Sequence, residues 1–214
     1  MKKLNFLIVM DDIATINYKK DTSLAMMWAI ADKGHGLYTC GIHDLWLNLG
    51  QLHIDAQATK VFKDPQKFYE LEPKTTHQAT DFDVILMRKD PPFDMNFIYA
   101  TYLLDKAKDA GVLVVNDPSS ILDCNEKLFA TWFSEHMSPT IVTAKQSHIR
   151  AFIQEQGDVI VKPLDGMGGM GIFRLTADSH NIGSTLELLT QNQSLPIMAQ
   201  GYLPAIKEGD KRVL

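Results

Sequence analysis

Short apolar runs alternate with amphipathic segments along the first half of the chain, a pattern typical of an α/β fold. Buried strands are predicted at residues 4–10, 37–42, 83–87 and 112–115. Two helices are predicted between them, the first capped within Asp21-Thr22-Ser23 and the second by Asp94, each with a glycine at its end. This rhythm predicts a parallel sheet with right-handed crossovers. The polar stretch 44–80, which contains two prolines, is expected to be irregular.

The second half has a different pattern. An amphipathic helix with four large apolar residues on one face is predicted over 125–135, and a capping box of Thr143 and Gln146 predicts a second helix ending near Gln156. We place a domain boundary near residue 123, which gives domains at 1–123 and 124–214. Further elements are predicted at 140–143, 159–163, 172–175, 184–191 and 197–200, with a last strand beginning at Asp210. Because natural domains usually end in polar surface residues, we expect a truncated chain.

Composition narrows the function classes. The 214 residues carry a net charge of −5, which argues against a nucleic-acid-binding module. No run of 18 apolar residues is present, and the N-terminal apolar run is too short for a signal peptide. Cys40 and Cys124 are too few for a disulfide framework, so we expect both to be packing residues in a reducing cytoplasm. These features predict a soluble, cytoplasmic protein that binds neither nucleic acid nor membrane.

A glycine-rich segment at 166–171 is the strongest chemical feature. It matches G-x-G-x-x-G, but it lies far from the first strand and is followed by a strand-like run, which argues against a nicotinamide site. A Walker loop is excluded because neither Lys-Ser nor Lys-Thr follows the last glycine. A hairpin whose backbone approaches phosphate oxygens remains, with an ordinary flexible hairpin as the alternative. Four glycines in six residues favour the phosphate-binding hairpin.

Two basic residues end apolar strands. Lys162 follows Val-Ile-Val directly before the glycine segment, so a partly buried ammonium there favours a phosphate partner; a lysine that snorkels to the surface is the alternative. Arg88 precedes two prolines and could clamp a carboxylate in a forked geometry. A structural salt bridge from Arg88 to Asp90 or Asp94 is equally compatible with residue chemistry alone.

Several strings occur together in a specific order. They are VILMRKDPPF at 84–93, DCNEKLF at 123–129, KPLDGMGG at 162–169, MAQGYLP at 198–204 and GDKR at 209–212. In this order the chain closely resembles the bacterial glutathione synthetase family of the ATP-grasp superfold, from about residue 4 to residue 214. The resemblance implies an α/β protein with a Rossmann-like pre-ATP-grasp domain that binds substrate, followed by part of an ATP-grasp domain.

The activity implied by the resemblance is ATP-dependent ligation of glycine to γ-glutamylcysteine through an acyl phosphate. Arg88 would then face the peptide substrate, and no residue of the chain is assigned as catalytic. The resemblance implies nucleotide-binding residues along the second domain, for contacts to the phosphates, the adenine and the ribose. These residues are Lys127, Lys162, Gly166, Gly168, Gly169, Gln200, Gly201, Tyr202, Leu203 and Asp210.

The same family continues beyond Leu214, where the resemblance places the Mg²⁺ ligands. We therefore expect these 214 residues alone to be inactive, because the transferring phosphoryl group would lack its neutralising metal. A homo-oligomer is also implied by the resemblance. Two alternatives stay open: another ATP-grasp carboxylate–amine ligase with a different acceptor, and a non-catalytic nucleotide-binding protein.

Overall fold

The computed structural model describes residues 2–166 and 168–211. The chain divides into two compact units, Met1–Asp123 and Cys124–Leu214. None of the helices within the described ranges has the length and hydrophobicity that a membrane-spanning helix requires.

The first unit is built on one mixed sheet. Its strand order is β3-β4-β2-β1-β7-β8, and β5 and β6 pair with β4. The pairs β1–β2, β1–β7 and β7–β8 are parallel, which confirms the predicted parallel core. The elements are β1 (Asn5–Val9), α1 (Thr22–Asp32), β2 (Gly36–Cys40), β3 (Leu45–Asn48), β4 (Gln51–Val61), β5 (Tyr69–Leu71), β6 (Thr75–Gln78), β7 (Val84–Met87), α2 (Met95–Asp109), β8 (Leu113–Val115) and α3 (Pro118–Asp123).

The prediction that residues 44–80 are irregular is wrong. This stretch forms the antiparallel strands β3 to β6, with the eleven-residue β4 at their centre. Every second residue of β4 from Leu52 to Ala56 is buried, which is the period of a half-buried strand. Leu49 and Gly50, both at positive φ, make the tight turn between β3 and β4. The two prolines lie in the connections on either side of β5, outside the strands.

The helices α1 and α2 begin where the sequence predicts. The Asp21 carboxylate accepts the Leu24 N–H at 2.8 Å, and the Asp94 carboxylate accepts the Phe97 N–H at 3.0 Å. Neighbouring residues of β1 are buried in separate clusters, one shared with α1 and the other with α2. Helices therefore cover both faces of the parallel strands, which leaves the strand ends as the accessible edge of the sheet.

Replacement of Asp94 by alanine is expected to lower the free energy of unfolding by about 1 kcal/mol, because α2 loses the acceptor for a first-turn N–H. Urea denaturation measures this change. Asp94→Asn keeps a side-chain oxygen and should retain most of the stability. Equal losses in the two variants would contradict the capping role.

The second unit contains a four-stranded antiparallel sheet in the order β11-β10-β12-β9. Two helices pack on one face of it, around a cluster that includes Ile153, Val159, Val161, Leu186 and Ile197. The elements are β9 (Thr140–Thr143), α4 (Gln146–Gln156), β10 (Asp158–Pro163), β11 (Phe173–Thr176), α5 (Ile182–Leu189) and β12 (Ile197–Gly201).

The predicted amphipathic helix over 125–135 is wrong. The Asn125 side chain accepts the N–H groups of the second and third residues after it, and a 3-10 helix then runs over Phe129–His136. Phe133 interrupts it with φ −120° and ψ 45°, and its neighbour Trp132 is 66% exposed. The Asn125 contacts are those of a helix cap, but the 3-10 geometry and the break at Phe133 end the regular helical period, so the aromatic face is not buried.

Of two smaller predictions, one is wrong and the other falls largely outside the described residues. Thr143 is not a helix cap, because its hydroxyl accepts the Lys145 N–H at 3.1 Å and α4 begins at Gln146. The strand predicted to begin at Asp210 falls largely on 212–214, outside the described residues. Asp210 and Lys211 themselves lie in no strand.

Candidate functional site

One face of the second sheet is turned away from the cluster around α4 and α5, and we name it the Lys162 face. Side chains alternate between the faces of a strand, so residues neighbouring the buried Val159 and Val161 belong to the opposite side. The strand register extends this face across the sheet, since Ile160 lies opposite both Arg174 and Gln200. The Lys162 face consists of Thr140, Val142, Asp158, Ile160, Lys162, Arg174, Thr176, Met198 and Gln200.

Lys162 is half-buried at the end of β10, as its apolar strand predicts. Burial lowers the pKa of its ammonium, and the positive charge of Lys127 lowers it further. Within 2–166 and 168–211, no hydrogen-bond acceptor or carboxylate contributes to that pKa. The site therefore contains two neighbouring ammonium groups, one of them uncompensated, and this charge fits a polyphosphate anion.

Lys127 is joined to the base of the glycine segment. Its ammonium donates to the Gly166 carbonyl and forms an ion pair with Glu126 at 2.5 Å. The Asn125 amide donates to the Leu164 carbonyl at 3.2 Å, so two side chains of one short segment hold the same loop. Only 14% of the Lys127 side chain is exposed. The structure thus brings Lys127, Lys162 and Gly166 together.

The glycine segment connects two antiparallel strands, β10 and β11, as the sequence predicts. Gly168, Gly169 and Gly171 have backbone φ angles of 63°, 82° and 71°, values that residues with a Cβ rarely adopt. Gly168 and Gly169 are exposed, and apart from their chain neighbours no described residue has an atom within 4 Å of where their Cβ atoms would be. Their backbone is therefore open to a ligand, and the strand that follows distinguishes this hairpin from a dinucleotide fingerprint.

The segment Gln200–Leu203 continues from β12. Gln200 donates from its amide to the Thr140 hydroxyl at 2.9 Å, and the Gly201 N–H donates to the Pro139 carbonyl at 2.9 Å. Leu203 is 60% exposed. Asp210 is exposed beyond the 3-10 turn Pro204–Glu208, and no side-chain hydrogen bond ties it to the rest of the described chain.

Two charged residues of this face were not singled out from the sequence. Arg174 and Asp158 form a forked ion pair with N–O distances of 2.9 and 2.6 Å. The Arg174 guanidinium also lies 3.8 Å from the centre of the Tyr202 ring. Arg174 is the only charge in β11, which is the one local signal, whereas Asp158 shares β10 with Lys162 and its pairing with Arg174 follows from the strand register.

Arg88 lies in the first unit, directly after β7 at the carboxyl edge of the parallel strands. Its guanidinium donates to the hydroxyls of Thr22 at 2.8 Å and Ser23 at 3.2 Å. The alternative ion pairs to Asp90 or Asp94 are not observed, since Asp94 caps α2 instead. Neutral partners hold Arg88 in place, so its charge stays available for an anion.

A polar cavity of about 280 Å³ lies at the carboxyl ends of β1 and β2. Its lining includes Asp11, Asp12 and an ion pair between Asp44 and Lys74 at 2.5 Å. Cys40 borders it, and burial raises the pKa of that thiol. Cys40 is the packing residue the sequence predicts, whereas the same prediction for Cys124 is wrong because Cys124 is exposed.

Metal ligands are not apparent in the described ranges, where no group of three or more His, Cys, Asp or Glu side chains is arranged to hold an ion.

The chain is similar to glutathione synthetases over nearly its whole length. It is 56% identical over 207 residues to the glutathione synthetase of Pseudomonas syringae pv. tomato, a match that covers 97% of this chain and 65% of the relative. The glutathione synthetase of Pseudomonas putida is 51% identical over the same coverage. The chain therefore spans about 65% of the length of these curated relatives.

Solved structures share the fold at low sequence identity. D-alanyl-alanine synthetase A from Vibrio cholerae has a TM-score of 0.60 and 9% identity, over 95% of this chain and 61% of that one. D-cycloserine synthetase DcsG has a TM-score of 0.60 and 12% identity, over 94% and 61%.

Family profiles account for nearly all of the sequence. The profile described as prokaryotic glutathione synthetase, N-terminal domain, matches residues 4–121, and that for the ATP-grasp domain of the same family matches residues 126–214. The mixed α/β fold is thus a pre-ATP-grasp domain followed by part of an ATP-grasp domain. The chain belongs to the prokaryotic glutathione synthetase family.

Proposed function

We propose that the complete protein joins glycine to γ-glutamylcysteine with conversion of ATP to ADP. By the complete protein we mean one that contains this chain and has the full length of its curated relatives. The observation that carries the proposal is the half-buried Lys162 ammonium, which neighbours Lys127 and the open glycine hairpin and has a pKa lowered by both burial and Lys127. Family membership supports the same reaction class.

The proposal divides the work between the two domains. Residues 124–214 would bind the nucleotide: Lys127 and Lys162 neutralise phosphate charge, and the backbone N–H groups of the hairpin donate to phosphate oxygens. Gln200, Gly201, Tyr202 and Leu203 would border the adenine, and Asp210 would hold the ribose.

Residues 1–123 would bind the peptide substrate, with Arg88 holding a carboxylate. In this division the protein positions the reactants and neutralises charge. ATP supplies the phosphate that becomes the leaving group of the acyl phosphate. Mg²⁺ would add neutralisation of the phosphates, and we assign it no ligand among the described residues.

The experiment supplies the complete protein with γ-glutamylcysteine, glycine and ATP, and follows glutathione and ADP by mass spectrometry. Both oxygens of the cysteinyl carboxylate carry ¹⁸O. If an acyl phosphate forms, one of them bonds to phosphorus and leaves with it when the glycine amine takes its place, so one ¹⁸O should appear in the released phosphate and the other should stay in the new amide.

The alternatives predict different results. Another carboxylate–amine ligase would form ADP with a different amine and make no glutathione. A non-catalytic protein would bind ATP without turnover. Unlabelled phosphate together with glutathione formation would reject the acyl phosphate while keeping the ligase.

A further inference from the structure

Asp158, Arg174 and Tyr202 form a compact group that we name the Arg174 cluster. The Arg174 guanidinium makes a forked pair with the Asp158 carboxylate, with distances of 2.9 and 2.6 Å, and lies 3.8 Å from the Tyr202 ring centre. The Tyr202 N–H donates to the Asp158 carbonyl at 2.9 Å, which closes the group through the backbone. Arg174 is therefore fixed on one side by a carboxylate and on the other by an aromatic face.

The cluster lies at one end of the Lys162 face. β10 begins at Asp158 and reaches the glycine hairpin after Lys162, so the cluster and the hairpin mark opposite ends of this strand. Lys162 lies four positions after Asp158, which is about 13 Å along an extended strand. A nucleotide with its phosphates at Lys162 would place its base towards Ile160 and Gln200, next to the cluster.

Stability alone does not account for the ion pair. The Arg174 and Asp158 side chains are 47% and 32% exposed, and pairs in contact with water contribute little to folding. The geometry instead fixes the position of Tyr202, since a stacked guanidinium restricts the ring and the hydrogen bond to Asp158 restricts its backbone. Both restraints act on the segment Gln200–Leu203.

We propose that Arg174 is a positioning residue for the nucleobase: held by Asp158, it stacks on Tyr202 and fixes the segment 200–203 at the base end of the Lys162 face. This inference rests on the proposed nucleotide site. Lysine cannot replace Arg174, because it has neither the fork that matches a carboxylate nor a planar group that stacks on a ring.

The experiment compares ATP with tripolyphosphate, which carries the phosphates without the base. In the complete protein, Arg174→Ala should raise the Kd for ATP about tenfold and leave the Kd for tripolyphosphate unchanged. Arg174→Lys should behave like Arg174→Ala. Arg150→Ala is the matched control: it removes an exposed arginine of α4 in the same unit and should change neither constant.

Steady-state kinetics supply a second readout. Arg174→Ala should raise the KM for ATP about tenfold at nearly constant kcat, because the base is held less well while the reacting phosphates are not. Asp158→Asn keeps the size of the side chain but removes its charge, and it should give a smaller change in the same direction. Circular dichroism and thermal unfolding verify that each variant is folded.

The outcomes separate this inference from the proposed function. Equal weakening of ATP and tripolyphosphate by Arg174→Ala would overturn the inference, as would unchanged binding of both while Lys162→Met weakens both. If the unmodified protein binds neither probe, the proposed nucleotide site itself fails. Should Arg174→Ala fail to fold, Arg174→Lys and Asp158→Asn decide between the same outcomes.

Discussion

Replacing Lys162 by methionine is expected to weaken ATP binding by about 1.5–3 kcal/mol, the range of a hydrogen bond to a charged group. The same change should maintain or raise the melting temperature. Both effects have one cause, because burial and Lys127 lower the pKa of an ammonium to which no described residue offers a compensating acceptor. Methionine fills similar space without the charge. Isothermal titration calorimetry and thermal unfolding of the complete protein measure the two effects.

Lys145→Met is the matched control, because Lys145 is an exposed lysine of the same unit at the start of α4. It should change neither ATP affinity nor melting temperature by much. Retained ATP affinity in Lys162→Met would contradict the phosphate contact. A large fall in melting temperature would contradict the view that Lys162 is kept at a cost to the free protein.

Because Lys162 can lose its proton, the affinity for ATP at the same site should depend on pH. The pKa of Lys162 lies below its ordinary value of 10.5 in the unliganded protein, and only the protonated form favours a phosphate. ATP affinity should therefore fall as the pH rises through this lowered pKa, and bound ATP should raise the pKa again. Calorimetry across the alkaline range measures this dependence, which should be weaker in Lys162→Met.

Some of the fold follows from local sequence alone. The parallel strands are continuous apolar runs because both of their faces are buried, and Asp21 and Asp94 fix the starts of α1 and α2 through single hydrogen bonds. The strands of the stretch 44–80 are not evident from the pattern because they are half-polar and are stabilised by pairing with one another, with β3, β5 and β6 all joined to β4. The helix predicted over 125–135 is instead a 3-10 helix over Phe129–His136 that is broken at Phe133, and the apolar spacing does not reveal this change of backbone.

Part of the candidate site can likewise be predicted from the local sequence, and part of it cannot. Lys162 and the glycine hairpin are visible as local patterns, since a charge ends an apolar strand and glycines follow it within a few residues. The Arg174 cluster is not visible locally, because Arg174 and Asp158 lie 16 residues apart and meet through the register of β10 and β11. Long-range contacts of this kind depend on tertiary pairing that composition and periodicity do not encode.

The surroundings of Arg88 also depend on distant residues. The hydroxyls of Thr22 and Ser23, 66 and 65 residues away, hold the guanidinium at the carboxyl edge of the first sheet. Neutral hydroxyls orient a guanidinium without cancelling its charge, whereas an ion pair would have left little attraction for a further anion. The neighbouring Lys89 differs, because its ammonium pairs with Asp11 at 2.9 Å. This contrast separates a charge that is available to an anion from one that is already neutralised.

Arg88→Ala is therefore expected to raise the KM for γ-glutamylcysteine about 10- to 100-fold, the loss of roughly 1.5–3 kcal/mol for a charged hydrogen bond, with a much smaller change in the KM for ATP. Steady-state kinetics of the complete protein, with each substrate varied in turn, measure both constants. Lys89→Ala removes the adjacent positive charge together with its pairing to Asp11, so it should raise the peptide KM far less. A larger effect on the KM for ATP than on that for the peptide, or equal effects of the two variants, would reject the assignment of Arg88 to the peptide carboxylate.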